Sequence, residues 1–186
     1  MQFKDVIGHQ NIKEKLIHGV QKNKVSHAQL FLGDAGYGTL GMSVAYAQYV
    51  LCLEKKENDS CGTCSSCLKI NELQHPDLHF SFPTVQADSP VSDSFLENWR
   101  EQIKKNSYFT LFDWTQVIDI KERQPIISVK ESAEIQRKLS LKSYEGGYKI
   151  MVIWMADQMN SQCSNKILKI LEEPPNSTSF LLVTDS

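Results

Sequence analysis

The sequence lacks an excess of charge of either sign. Its 20 Lys and Arg stand against 22 Asp and Glu, a net charge of −2 over 186 residues. A near-neutral chain has no global basic field of the kind that non-specific nucleic-acid binding relies on, although a local basic patch is still allowed. There is no apolar run approaching the length of a membrane span, and no charged-then-apolar leader with a cleavage site. A cytosolic protein without membrane contact is expected. Cysteine is scarce, five residues in all, and three of them crowd into Cys61-Gly-Thr-Cys64-Ser-Ser-Cys67. That grouping speaks against a disulfide framework and for a metal site in a reducing compartment.

A second kind of absence lies in residues 31–41, Phe-Leu-Gly-Asp-Ala-Gly-Tyr-Gly-Thr-Leu-Gly. Gly33 and Gly38 fill the glycine positions of G-x-x-x-x-G-K-[ST], but Thr39 stands at the lysine and Leu40 at the hydroxyl. In a working phosphate loop the lysine meets the β and γ phosphates and the hydroxyl holds magnesium. Here only a backbone cradle is left, through Gly33, Gly36, Gly38 and Thr39. Charge-assisted hydrogen bonds contribute about 1.5–3 kcal/mol each. Losing both groups weakens nucleotide by about two to four powers of ten, and hydrolysis more. On these residues alone a plain glycine turn is an equal reading. The context favours the loop, because apolar residues 28–32 read as a buried strand before it and residues 41–53 as a helix after it.

The missing lysine has a counterpart further on. Residues 148–154, Tyr-Lys-Ile-Met-Val-Ile-Trp, read as a central buried strand, whose end in a phosphate-loop domain carries Asp-Glu for magnesium and water. This strand ends in Trp154-Met155, and Asp157 lies too far along the turn without a shift in register. Two separate losses point to an architecture retained without hydrolysis.

What is present is mostly scaffold and metal. Residues 11–20 carry Ile12, Leu16, Ile17 and Val20 on one helical stripe. Cys52, Cys61, Cys64 and Cys67 follow the loop helix with the spacing C-x8-C-x2-C-x2-C. Four thiolates make a closed tetrahedral zinc shell with no water position, which is structural. The alternative set leaves Cys52 as a core thiol and takes His75 or His79 as fourth ligand. Cys163 reads as a buried small side chain. Residues 78–82 alternate into a strand that stops at Pro83. Ser94 and Glu97 have capping-box spacing before a helix with Phe95, Leu96, Trp99 and Ile103 on one face and Arg100, Lys104 and Lys105 beside it. Tyr108, Phe109, Leu111, Phe112 and Trp114 follow, and packing is favoured over base stacking for them. Ser128 and Glu131 make a second capping box, Glu145-Gly146-Gly147 a turn, and Asn160 a cap for a helix that stops at Pro174-Pro175. Residues 179–184 make one more strand, and a chain ending immediately after it reads as part of a longer one.

Together the pieces resemble the first domain of the clamp-loader subunits of bacterial DNA polymerase III, in the AAA+ class of ATPases, the delta-prime-like members above all. The resemblance rests on Phe3-Lys-Asp-Val-Ile-Gly8-His9-Gln10, Ser26-His27-Ala28, the four cysteines, His75-Pro76-Asp77, Tyr144-Glu-Gly-Gly-Tyr-Lys149 and Asn165-Lys-Ile-Leu-Lys-Ile-Leu-Glu-Glu-Pro-Pro175. It implies an α/β fold: a P-loop NTPase-like parallel sheet flanked by helices over 1–186, with a zinc module at 52–75 and a variable insertion at 84–124. In that family the ATPase subunits keep the loop and the Asp-Glu pair, while delta-prime-like subunits are often degenerate and serve as a rigid stator. Structural zinc without ATP is therefore expected. So are partners among the other clamp-loader subunits (the ATPase subunits and the clamp-opening subunit), DNA reached indirectly through the complex, and no catalytic residues. The resemblance further implies a Ser-Arg-Cys motif, a lid and an oligomerisation domain beyond residue 186. Two competitors are an ATPase using Thr39 for phosphate and Asp157 for metal, and a nucleic-acid-binding zinc module using Arg100, Lys104 and Lys105.

Overall fold

A computed structural model describes residues 1–85, 91–119 and 124–185. Parts of the 84–124 insertion, at 86–90 and 120–123, therefore lie outside the described residues, as does Ser186. Four strands form one parallel sheet in the order β1-β4-β3-β2, with β1 at Ala28–Leu32, β2 at Leu78–Ser81, β3 at Lys149–Trp154 and β4 at Thr178–Thr184. Parallel neighbours need crossovers, and helices supply them. α1 (Gln10–Gln21) precedes β1, and α2 (Thr39–Leu51) and α3 (Ser65–Asn71) link β1 to β2. α4 (Leu96–Lys105), α5 (Leu111–Val117) and α6 (Val129–Ser140) lead to β3, and α7 (Ser161–Glu172) joins β3 to β4. This is the expected α/β sheet.

β3 is buried at all six residues, as its continuous apolar run predicts for a strand flanked on both sides. β1 differs from expectation: Leu30 and Leu32 are 61 % and 62 % exposed. Among the described residues β1 is an edge strand, paired only to β4, so half of its apolar side chains find no cover. Two expected caps also change. A 3-10 turn at Ser92–Phe95 comes before α4, which Phe95 caps without a side-chain bond, so Ser94 does not open the helix. Glu131 turns its carboxylate to Ser92 N, 2.8 Å away. Asn160 does cap α7, accepting from Cys163 N at 2.8 Å, and Cys163 is fully buried.

One polar clamp crosses the fold that no local pattern announces. The carboxylate of Asp77 accepts from Ser143 Oγ, Tyr144 N and Glu145 N at 3.1, 2.8 and 3.0 Å, so it pins the turn before β3. Glu145 in turn meets Lys69 of α3 at 2.7 Å and His75 Nε2 at 3.2 Å. His75 Nδ1 accepts from Asp77 N, which places the ring proton on Nε2, facing Glu145. The Lys69 ammonium holds the Glu145 carboxyl below its ordinary range. Asp77→Ala leaves two backbone N–H groups and a hydroxyl without their charged acceptor. It should cost about 2–3 kcal/mol of folding free energy, measured as a lower urea midpoint at unchanged slope. A midpoint within error of the parent would show that the turn holds itself.

Candidate metal centre and phosphate loop

The four predicted sulfurs come together. α2 ends with Cys52 at its C-cap, and Cys64 caps α3 while accepting from Cys67 N. Between them Gly62, at φ +78°, makes the sharp turn that brings Cys61 beside Cys64. The Sγ atoms of Cys52, Cys61, Cys64 and Cys67 all lie within 4.8 Å of one another, with Cys52–Cys61 at 3.6 Å, Cys61–Cys67 at 3.8 Å and Cys52–Cys64 at 4.0 Å. Sulfurs bound at about 2.3 Å to one tetrahedral zinc stand about 3.8 Å apart, and a disulfide would need about 2.0 Å. The donor set fits a metal ion.

Its surroundings fit thiolates. Cys61 Sγ accepts from Cys64 N at 3.2 Å and Thr63 N at 3.4 Å, which lowers its pKa to about 6. Cys52 Sγ accepts from Cys61 N, but burial pushes its thiol up, and burial raises Cys67 further. Thiols this crowded lose their protons together only when a bound cation displaces them into solvent. Neither histidine joins them: His75 is held in the Asp77–Glu145 clamp and His79 lies on β2. The module is tied to the first residues of the chain. Asp59 accepts from Phe3 N and Lys4 N at 3.0 and 3.1 Å, and Gln2 Nε2 donates to Ser60 O at 2.6 Å.

Residues 33–38 form a glycine turn between β1 and α2. Gly36 and Gly38 sit at φ +82° and +85°, and Gly38 caps α2, with Met42 N donating to its carbonyl at 2.8 Å. Thr39 and Leu40 begin the helix, at the places of the lysine and the hydroxyl in G-x-x-x-x-G-K-[ST]. In front of them is a cavity of about 20 Å³, lined by Gly36, Gly38, Thr39, Tyr108, Trp154 and Thr184 among others. That volume holds about one water. Trp154 and Met155 reach it from the end of β3, where Met155 turns the chain at φ +55°. Asp157 accepts from Thr184 Oγ1 at 2.6 Å and is not among the residues lining the cavity.

Residues 107–111 form the roof. A Cβ added to Gly38 would stand 2.8 Å from Tyr108 Cε1, and Tyr108 Oη accepts from Ile7 N at 2.9 Å. Phe109 is buried against Trp99 and Trp154, with ring centroids 5.5 and 4.9 Å apart. Packing thus claims Phe109 and Trp114 as expected, whereas Phe112 is 72 % exposed. Arg100 Nε donates to Leu73 O and Lys104 pairs with Glu72, so two of the three predicted basic side chains are engaged within the fold. Sequence reasoning missed Tyr108 as a loop contact. Its only signal was an aromatic run beside a polar turn. Among the described residues no helix is long and apolar enough to cross a membrane.

Comparison with known proteins agrees with this architecture. A DNA polymerase III subunit delta′ from Bacillus subtilis is 28% identical over 174 residues, 94% of this chain and 41% of its own length. A DNA polymerase III subunit tau/gamma from Haemophilus influenzae is 25% identical over 182 residues, 98% of this chain and 21% of its own. This chain thus spans about two fifths or less of these relatives. The crystal structure of a DNA polymerase III gamma subunit-related protein from Thermotoga maritima superimposes with a TM-score of 0.51 at 15% identity, over 93% of this chain and 39% of that one, and shares the fold. The family model described as DNA polymerase III, delta subunit, matches residues 8–186, nearly the whole chain, and the protein belongs to that family.

Proposed function

We propose that this chain is the first domain of a delta′-like clamp-loader subunit that does not hydrolyse ATP and acts as a rigid scaffold. In this reading it helps the other subunits, the ATPases and the clamp opener, to load a sliding clamp on DNA during replication in the cytoplasm. The single observation that carries the non-catalytic reading is the space before the loop: about 20 Å³, faced by Thr39, Leu40, Trp154 and Met155 in place of lysine, hydroxyl and carboxylates. Catalysis of phosphoryl transfer consists almost wholly of positioning and charge; here the lysine and the Asp-Glu pair are missing, and Asp185 is the one charged residue among those lining the space. Zinc at Cys52, Cys61, Cys64 and Cys67 is structural, because four sulfurs leave no open position for water or substrate. The near-neutral chain reaches DNA through its partners. Calorimetric titration of the full-length protein with Mg-ATP, zinc present, should show no binding up to about 1 mM, and turnover should be absent. Micromolar binding would overturn the reading and call for a rate assay.

A further inference from the structure

We propose that Tyr108 is an intramolecular plug, and that the 107–111 turn excludes nucleotide from a loop whose backbone frame is still competent. The inference rests on the nucleotide-free reading above and deepens it, since it makes exclusion depend on the 84–124 insertion as well as on the lost side chains. Three observations converge on the ring. It lies against Gly38 closely enough that a Cβ there would meet Cε1 at 2.8 Å. Its hydroxyl takes the Ile7 N–H, so it bridges the loop and the segment leading into α1. The backbone behind it covers Gly36, whose added Cβ would stand 3.6 Å from Tyr108 O.

The turn is built to hold that position. Asn106 Oδ1 accepts from Tyr108 N at 2.9 Å, and Thr110 and Asp113 form a reciprocal capping box at the start of α5. Between these two polar anchors Phe109 is locked in the aromatic core against Trp99 and Trp154. The cradle beneath keeps its glycines in the left-handed region, the geometry that aims backbone N–H groups at a phosphate. A bound phosphate chain and the Tyr108 ring would need the same space over Gly38.

A binding-competent state populated only one-tenth of the time lowers apparent affinity about tenfold. The test is Mg-ATP calorimetry on the zinc-loaded full-length protein in four forms: parent, Tyr108→Ala, Thr39→Lys/Leu40→Thr, and all three changes together. The triple variant should bind at least about tenfold tighter than the Thr39→Lys/Leu40→Thr form. Equal affinity in those two forms, or binding in neither, would overturn the plug. A second measurement does not depend on the Ala variant folding. Tyr108→Phe keeps the ring and removes the acceptor, so the Ile7 amide should exchange at least about tenfold faster than in the parent. An Ile7 amide that exchanges equally in both sinks the plug and leaves the nucleotide-free reading standing. ATP binding by the parent itself sinks that reading, whatever the amide does.

Discussion

Stripping the metal from the four-sulfur site should unfold residues 52–75 and loosen the first residues of the chain while the parallel sheet persists. Binding a structural zinc contributes roughly 10–16 kcal/mol in small peptides, and this module has little else to fold it. Residues 54–60 are polar apart from their packing on the site, and α3 has only seven residues, too short to persist alone. Without the ion, four thiolates within 4.8 Å of one another repel, and a protonated Cys52 Sγ accepts the Cys61 N–H more weakly than a thiolate would. Asp59 and Ser60 would then release Phe3, Lys4 and Gln2. Protein purified under reducing conditions should hold one zinc per chain. A strong chelator, or Cys67→Ser, should abolish amide protection in α3 and open Lys55 and Lys56 to trypsin. Cys163→Ser, a change in a buried thiol outside the site, should leave the zinc content alone. Retained α3 protection after complete zinc removal would mean that the hydrogen bonds to Asp59 and the burial of Cys67 suffice, and that the ion is incidental.

The four-sulfur cluster was legible because its cysteines are crowded in sequence. Two x2 spacers and a cysteine at a helix end are local facts, and the turn that unites them needs only Gly62. β3 was legible for a related reason: a continuous apolar run with no alternation reports a strand covered on both faces. β1 is equally apolar, yet Leu30 and Leu32 are exposed, since composition does not say whether a strand sits at a sheet edge. The Asp77–Glu145 clamp joins residues 66 to 68 positions apart, and Tyr108 meets Ile7 across 101. Contacts of that range leave no periodicity. The Ser94 capping box failed in the opposite direction. Its spacing is right, but a 3-10 turn at Ser92–Phe95 occupies the place where a cap would act.

Trp99→Ala should be the most damaging single substitution in the core. The indole is fully buried, stacked on Phe82 at 4.2 Å and 17°, edge-on to Phe109 and Trp114 at 5.5 and 5.2 Å, and tilted against Trp154 at 5.2 Å. Truncating such a ring costs about 3–5 kcal/mol, the transfer free energy plus the cavity it leaves. In a chain of this size each kcal/mol lowers Tm by about 2–4 °C, so a drop of roughly 6–20 °C is expected. Trp99→Phe separates packing from polarity. Trp99 Nε1 has no hydrogen-bond partner among the described residues, so phenylalanine keeps an aromatic face toward Phe82 without burying an unsatisfied donor. Its cost should stay below about 2 kcal/mol. Urea unfolding followed by far-UV circular dichroism measures both. A Trp99→Ala midpoint within about 1 kcal/mol of the parent would show that the insertion repacks without its centre. The expected loss has a second consequence. Trp154, where an ATPase of this fold needs carboxylates, is held by Trp99 and Phe109. In the non-catalytic reading proposed above, the same aromatic packing that anchors α4 and α5 to the sheet occupies the end of β3 beside the glycine turn.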